Sequence, residues 1–396
     1  LLICHRYFTI KTKKTENSEQ EDFMEFKPFK DITLSRLGMG NMRLPVQTDQ
    51  PDMPIDRVKA QEIIDYAIKG GINYFDTAYI YHNGESEKFL GEALGKYPRD
   101  NYYLATKFFI LTNPDYKAVF EEQLTRLKTN YIDFYMIHGI FDHTYQQYID
   151  NGCIEYFLEQ KKEGRIKYLG FSSHAGVENL GTFADHHKWD FAQIQLNYFD
   201  WRYASTKQEY EALSERNIPI MVMEPVRGGR LASLCPEAET ILKETRPDWS
   251  IASWAFRWLK RLPQVQVILS GMTTLEQIQD NIVTFSDVPA LTDEEEHLLM
   301  EACDIFRAQV RTPCTACRYC CDNCPVHINI PQVLSVYNRF RLEGSWALSD
   351  LDNLDSETGP TDCTGCGACT GHCPQGIDVP AIMEELSDMV RRRPDK

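Results

Sequence analysis

Short apolar runs alternate with amphipathic stretches along the first 290 or so residues of the chain. The runs are rich in Ile, Val, Phe and Tyr, types that suit a pleated and largely buried strand. They fall at 34–40 (LSRLGMG), 72–78 (INYFDTA), 102–108 (YYLATKF) and 131–138 (YIDFYMIH). Four more follow at 166–173 (IKYLGFSS), 191–198 (FAQIQLNY), 218–225 (IPIMVMEP) and 265–271 (VQVILSG). Between them the period changes to that of a helix, as over 115–130, where Val119, Leu124 and Leu127 share one face. A further helix is expected over 292–310, with Thr292 as N-cap and Glu295 closing a capping box.

Strands that alternate with helices imply an α/β fold with a parallel sheet and crossover connections. An open doubly wound sheet and a closed (β/α)₈ TIM barrel both fit that order. Eight repeats in roughly 250 residues is the usual size of the barrel. The first strand is also not followed by the Gly-x-Gly-x-x-Gly turn of an open dinucleotide-binding sheet: RLGMGN has two glycines and no helix after them. The expectation is therefore a barrel over 27–291, the connecting helix, and a small, mainly α-helical domain over 311–396. Residues 1–26 read as an N-terminal tail or extension, with MEFKPF at Met24 as a more natural start than Leu1.

Of the 396 residues, 43% are hydrophobic and 25% charged, an ordinary globular balance. No apolar run approaches a membrane span, since LLIC is broken at once by His5 and Arg6. The formal net charge of −16 argues against nucleic acid, whose phosphates call for a basic surface. Nine of the 13 cysteines crowd into 314–373, in tight triplets that suit metal ligation in a reducing, cytoplasmic setting.

In a TIM barrel, chemistry sits at the carboxyl ends of the strands. Asp76 and Tyr81 follow the second predicted strand, Lys107 ends the third and His138 ends the fourth. Any one alone has an ordinary reading: a helix cap, a loop aromatic, a solvated charge, a core histidine. Four at successive strand ends form a pattern.

FDTAYIYHNGESEKFLG (75–91), ATK (105–107), YIDFYMIH and GFSSH (170–174) resemble the signature segments of the aldo-keto reductases, in order over roughly 30–290. That resemblance implies a barrel that binds NADPH or NADH across its mouth and interconverts small carbonyls and alcohols. It makes Asp76, Tyr81, Lys107 and His138 the catalytic tetrad. Carbonyl reduction needs a proton and a polarising donor as the alkoxide forms. Tyr81 would give the proton, Lys107 would lower its pKa, Asp76 would hold the lysine, and His138 would orient the carbonyl oxygen.

The resemblance also points to Ser172, Ser173 and Gln193 for the nicotinamide carboxamide, with Ser173 where the family usually has Asn. Met223 stands where many members stack a tyrosine on the nicotinamide ring. Ser270, Gly271, Gln277 and Asn281 fall in the phosphate and adenine segment ILSGMTTLEQIQDN, which lacks Lys and Arg, so NADH is as open as NADPH. Arg227 and its neighbour Arg230 are the cations that could reach the phosphates instead. Gly139 replaces a wall residue that is often Trp, which predicts a wider substrate pocket.

The remaining chemistry is in the cysteines. Cys314, Cys317, Cys320 and Cys324 precede Pro325, and Cys363, Cys366, Cys369 and Cys373 precede Pro374, so C-x₂-C-x₂-C-x₃-C-P occurs twice. CPVHINIP and CPQGIDVP extend the repeat, and each copy matches the ligand run of bacterial ferredoxins. Zinc is the rival, but zinc sites favour isolated C-x₂-C pairs. Two [4Fe–4S] clusters are expected, with the fourth cysteine of each run exchanged. Cys314, Cys317, Cys320 and Cys373 would hold one, and Cys363, Cys366, Cys369 and Cys324 the other. Cys321 is surplus, and Cys4, Cys153, Cys235 and Cys303 read as structural.

Three functions remain open from the residues. The barrel and clusters exchange electrons in one oxidoreductase; or the barrel is a carbonyl reductase with structural or sensing clusters; or the chain is a carrier docking to a redox partner protein. A nicotinamide passes two electrons together and a cluster one, a gap that a flavin often bridges; no specific flavin motif is present, though a barrel mouth could hold a flavin without one. A helix of about 27 Å from 292 could return the chain to the barrel mouth, so the cysteine domain is expected on that rim.

Overall fold

The computed structural model describes residues 24–47, 54–286, 289–309, 312–343 and 345–392. The segment 1–23, with Cys4, lies outside the described residues. A two-stranded hairpin opens the fold, β1 (Phe26–Phe29) and β2 (Ile32–Ser35). Eight parallel strands then close a barrel: β3 (Leu37–Gly40), β4 (Tyr74–Asp76), β5 (Tyr103–Phe108), β6 (Ile132–Ile140), β7 (Ile166–Ser173), β8 (Phe191–Gln195), β9 (Ile220–Met223) and β10 (Val265–Ser270). β10 pairs with β3 through Ile268↔Leu37 to Ser270↔Met39, which completes the ring.

All eight expected strands are present, and the main difference lies at the first. The run 34–40 is split at Arg36, because Leu34 belongs to the hairpin rather than to the barrel wall. The hairpin plugs the barrel. Phe29 and Leu34 pack with Tyr74, Phe134, Met136, Tyr168, Phe191 and Met221, and the Phe29 ring lies 5.4 Å from Phe134 and 5.2 Å from Tyr168. Residues 24–26, expected in the tail, are part of this structure. Met24 bridges to Ser286, the Glu25 amide donates to Phe285 O at 2.7 Å, and the Glu25 carboxylate meets Lys260 at 2.5 Å.

Helices cover the outside of the sheet, and Trp254, Trp258, Phe120 and Phe157 are fully buried beneath them. The helix at Tyr116–Arg126 buries Val119 and Leu124 as its period predicts. The helix Asp293–Gln309 begins at the expected box, in which Thr292 N donates to Glu295 Oε2 at 2.9 Å and Glu295 N to Thr292 Oγ1 at 3.2 Å. Thr292→Ala should cost about 1 kcal/mol, read as a shift in the urea midpoint, because it strands the first-turn donor. None of the helices among the described residues is long and apolar enough to cross a membrane.

The carboxyl-terminal part is small and helical, with helices at Ile330–Glu343 and Val379–Arg391 and a single turn at Ala368–Gly371. Its core joins Ile328, Val333, Leu334, Ile377, Val379, Met383 and Leu386 to Cys320 and Cys369. It sits on the carboxyl rim of the barrel, the side the connecting helix leads to. Arg43 Nη2 donates to Ala316 O at 2.9 Å, and Arg227 Nη2 donates to Gln375 Oε1 at 2.7 Å. The Tyr319 ring lies 6.2 Å from that of His174, edge-on.

Candidate active site

The strand ends deliver polar side chains to this covered rim. Asp76 closes β4, Lys107 lies one residue before the end of β5, His138 lies within β6, and Tyr81 opens the turn after β4. The structure brings all four together. Lys107 Nζ donates to Asp76 Oδ1 and to Thr77 O, each at 2.6 Å. Nζ also stands 5.0 Å from the centre of the Tyr81 ring, and the Tyr81 and His138 rings meet edge-on at 6.0 Å.

Lys107, Asp76 and His138 are buried, and that shapes their protonation. Burial draws the Lys107 ammonium below its usual value and Asp76 above its own, each opposed by the charge of the other. Burial holds the Tyr81 phenol well above its ordinary value, with Tyr319, Asp76 and Glu224 adding to the effect. The expected lowering of Tyr81 by Lys107 is therefore not met. The ammonium spends its hydrogen bonds on Asp76 and Thr77 and faces the ring, while the cysteine domain closes the site from above. His138 is pushed well below the usual imidazole range by burial, then by Lys107 and His174. Its Nδ1 is buried without a partner among the described residues.

Two cavities meet at this point. The first, about 1300 Å³ with its open mouth, is bounded by Asp76, Tyr81, Gln193, Met223, Ser270, Gly271, Gln277 and Asn281. Gln193 Oε1 is buried there without a partner, and its Nε2 faces Met223 Sδ at 3.8 Å. Asn281 Nδ2 donates to Ser270 Oγ at 3.0 Å. Gln277 Oε1 accepts from Thr273 N at 2.7 Å, so this side chain caps the helix Leu275–Phe285.

Four residues expected at the cofactor, Ser172, Ser173, Arg227 and Arg230, do not line this cavity. Ser172 Oγ accepts from Gly139 N at 2.9 Å, and Ser173 Oγ accepts from Ala175 N at 3.1 Å, so both hydroxyls brace the backbone of the rim. Arg227 is drawn away by a buried ion pair with Asp200 at 2.9 Å and by Gln375.

The second cavity, about 1600 Å³ with its mouth, is bounded by His138, Gly139, Phe109 and Phe141 from the barrel. Asp322, Asn323, Gly371 and His372 come from the cysteine domain. The space left by Gly139 is not empty. A Cβ there would stand 3.1 Å from the Phe141 ring and 3.5 Å from Phe109, so two phenyl rings replace the expected gap.

Three residues absent from the sequence reading belong to the site. Tyr319 lines both cavities; in the sequence it is merely a spacer between Cys317 and Cys320. Glu224 follows β9 at φ +53°, with Oε2 buried and unpartnered, and burial pushes its carboxyl up to about 7. Arg43 lines the first cavity from the turn after β3. A charged residue closing IPIMVMEP was the one available signal for Glu224.

The cysteines gather as two sets of four. Cys314, Cys317, Cys320 and Cys373 surround one small void, and Cys324, Cys363, Cys366 and Cys369 surround another. Each set combines three cysteines of one run with the fourth of the other. Cys321 packs at the edge of the domain core, and Cys153, Cys235 and Cys303 are buried in the barrel and its helices.

Residues 36–304 match the Aldo/keto reductase family, and residues 313–378 match the 4Fe-4S dicluster domain. An uncharacterized oxidoreductase, YqkF, of Bacillus subtilis is 28% identical over 313 residues, covering 70% of this chain and 96% of its own. The NADH-specific methylglyoxal reductase of Escherichia coli is 25% identical over 320 residues, covering 68% and 95%. Among solved structures, the aldo-keto reductase AKR11C1 from Bacillus halodurans in its holo form superposes with a TM-score of 0.58 at 28% identity, covering 70% of this chain and 96% of its own. The chain belongs to the aldo/keto reductase family of nicotinamide-dependent oxidoreductases, and carries an iron–sulfur domain on the rim of its barrel.

Proposed function

We propose that the barrel interconverts a small carbonyl and its alcohol with NADH, and that the cysteine domain holds two [4Fe–4S] clusters beside that site. The observation that carries the reading is the convergence of Asp76, Tyr81, Lys107 and His138 where the two cavities meet. The first cavity fits a nicotinamide: the orphaned Gln193 Oε1 is an acceptor for a carboxamide NH₂, with Met223 beside it. When bound, the nicotinamide supplies the hydride. Tyr81 then gives its phenolic proton to the carbonyl oxygen, and neutral His138 presents an imidazole N–H to the same oxygen. Lys107, fixed by Asp76 and Thr77, keeps a positive charge near the phenolate that forms.

Ser270, Gly271 and Asn281 border the dinucleotide, and Gln277 preserves the helix end beside it. Asp280 also faces this cavity, accepting from Ser250 Oγ at 2.6 Å, and the segment 268–281 holds no Lys or Arg. An extra phosphate on the ribose would meet the Asp280 carboxylate, and the segment supplies no cation of its own to offset it, which favours NADH.

The two voids suit clusters better than single zinc ions. Four thiols surround each void, three of them from one tight C-x₂-C-x₂-C run, whereas zinc sites favour isolated C-x₂-C pairs. When bound, the clusters supply one-electron storage. Cys317 also borders the dinucleotide cavity, which favours electron exchange over a purely structural role.

The test is anaerobic. The purified protein should contain about eight irons, and should oxidise NADH with methylglyoxal at least about tenfold better than NADPH. Four irons or fewer, or no carbonyl-dependent oxidation, would remove the corresponding half of the reading. NADH alone should bleach the visible cluster absorption. No bleaching, with dithionite still effective, would leave the clusters to structure, sensing or an external partner.

A further inference from the structure

We propose that Arg43 is a shared strap. Its guanidinium takes the pyrophosphate of the bound dinucleotide while holding the first cysteine loop by its carbonyls, so that each kind of occupancy stabilises the other. The inference rests on the nicotinamide reading above.

Arg43 is the sole Lys or Arg among the residues that border the first cavity, which also contains the acids Asp76, Glu224 and Asp280. A pyrophosphate carries two negative charges and needs a cation or several donors to replace its water. The stem of Arg43 lies flat over Gly271, where a Cβ would stand 3.2 Å from Arg43 Cβ and 3.3 Å from Cδ. Its carbonyl accepts from Thr273 Oγ1 at 2.9 Å, which fixes the turn to the β10 rim. The guanidinium is thereby aimed across the cavity mouth rather than out to solvent.

The far side of the mouth is the cysteine loop. Arg43 Nη2 donates to Ala316 O at 2.9 Å and approaches Thr315 O at 3.4 Å. Both side-chain hydrogen bonds of Arg43 among the described residues leave from this one nitrogen. A guanidinium has five donors, so Nε and Nη1 remain for an anion. The loop is also seated sterically. Gly228 has φ +66°, and a Cβ on it would stand 1.5 Å from Thr315 O, so only glycine admits the loop at this depth. Gly228 and Cys317 border the same cavity as Arg43. The loop that presents Cys314 and Cys317 is thus a wall of the dinucleotide cavity, and one cation ties wall to ligand.

Binding linked in this way is reciprocal. A dinucleotide that engages Nε and Nη1 restrains Arg43 and with it the Thr315 and Ala316 carbonyls. A metal-filled loop, in turn, holds Arg43 in place for the dinucleotide.

The experiment uses the full cluster-loaded chain under anaerobic conditions, with NAD⁺ as probe because it cannot reduce a cluster. Two quantities are read: NAD⁺ affinity by calorimetry, and the rate at which an iron chelator bleaches the visible absorption. Saturating NAD⁺ should slow bleaching of the wild type by about fivefold or more. Arg43→Gln should bind NAD⁺ about tenfold more weakly, about 1.4 kcal/mol, and lose the protection. Arg43→Lys keeps a charge for phosphate without the fork that spans both partners. It should retain affinity within about threefold and still lose most of the protection.

Unchanged affinity in Arg43→Gln, undiminished protection in either variant, or no protection of a wild type that binds NAD⁺ would each overturn the inference. If Arg43→Gln cannot be purified with its iron, Arg43→Lys and the wild type decide. A wild type that binds no NAD⁺ overturns the nicotinamide reading and this inference together. Every other adverse result removes this inference alone.

Discussion

Tyr81→Phe is expected to lower kcat for carbonyl reduction by about 10²–10⁴-fold, the range for losing a positioned proton donor. The ring that packs against His138 and Lys107 is retained, so only the hydroxyl is lost. KM for NADH and the iron content should stay at wild-type values, since neither involves that oxygen. The pH profile is a second check. Reduction requires Tyr81 protonated and His138 neutral. Burial raises the phenol well above its ordinary value and lowers the imidazole well below its own. The rate should therefore show no inflection from free His or Tyr between about pH 6.5 and 9.5, and a step near pH 7 would belong to Glu224, whose carboxyl is pushed up to about 7. Steady-state kinetics with methylglyoxal and NADH measure both. A Tyr81→Phe enzyme within a few-fold of wild type would leave the tetrad without its acid.

Lys107→Met should destabilise the barrel by about 3–5 kcal/mol, the usual result of removing one partner from a buried ion pair. Lys107 is 0% exposed and Asp76 3%, so the remaining carboxylate loses its lysine partner with little surface open to water. Methionine fills much of the lysine volume, which separates the charge effect from a cavity effect. Adding Asp76→Asn should restore much of the loss, because a neutral amide in place of the carboxylate removes the stranded charge. Urea midpoints of the two single variants and the double variant give the coupling. Strict additivity would mean that the 2.6 Å contact has little energetic weight.

The sequence carried the strands well because each is a continuous apolar run, buried on both faces as a parallel barrel requires. It blurred the first one. Leu34 and Leu37 share a run and the same hydrophobicity, and only packing assigns one to the plug and the other to the wall. The tetrad was legible because strand ends are fixed by the fold and its residues are chemically unusual there. The cofactor contacts were less so. Ser172, Ser173 and Arg227 occupy matching positions in the chain, but their hydrogen bonds go to rim backbone, Asp200 and Gln375. The electrostatics were hidden for a related reason. The burial that holds Tyr81 protonated comes partly from a domain some 240 residues further along the chain, and nothing local to Tyr81 announces it.

Tyr319 is the one residue that borders both cavities among the described residues, and it thereby works as a partition. A site with a single throat imposes an order of events: whatever enters last must leave first. If coenzyme and carbonyl take one cavity each, a doorway on each side of a tyrosine means that the two reactants need not queue. Coenzyme exchange then need not wait for the organic product to depart, and the turnover rhythm of the enzyme is set by whichever doorway is slower.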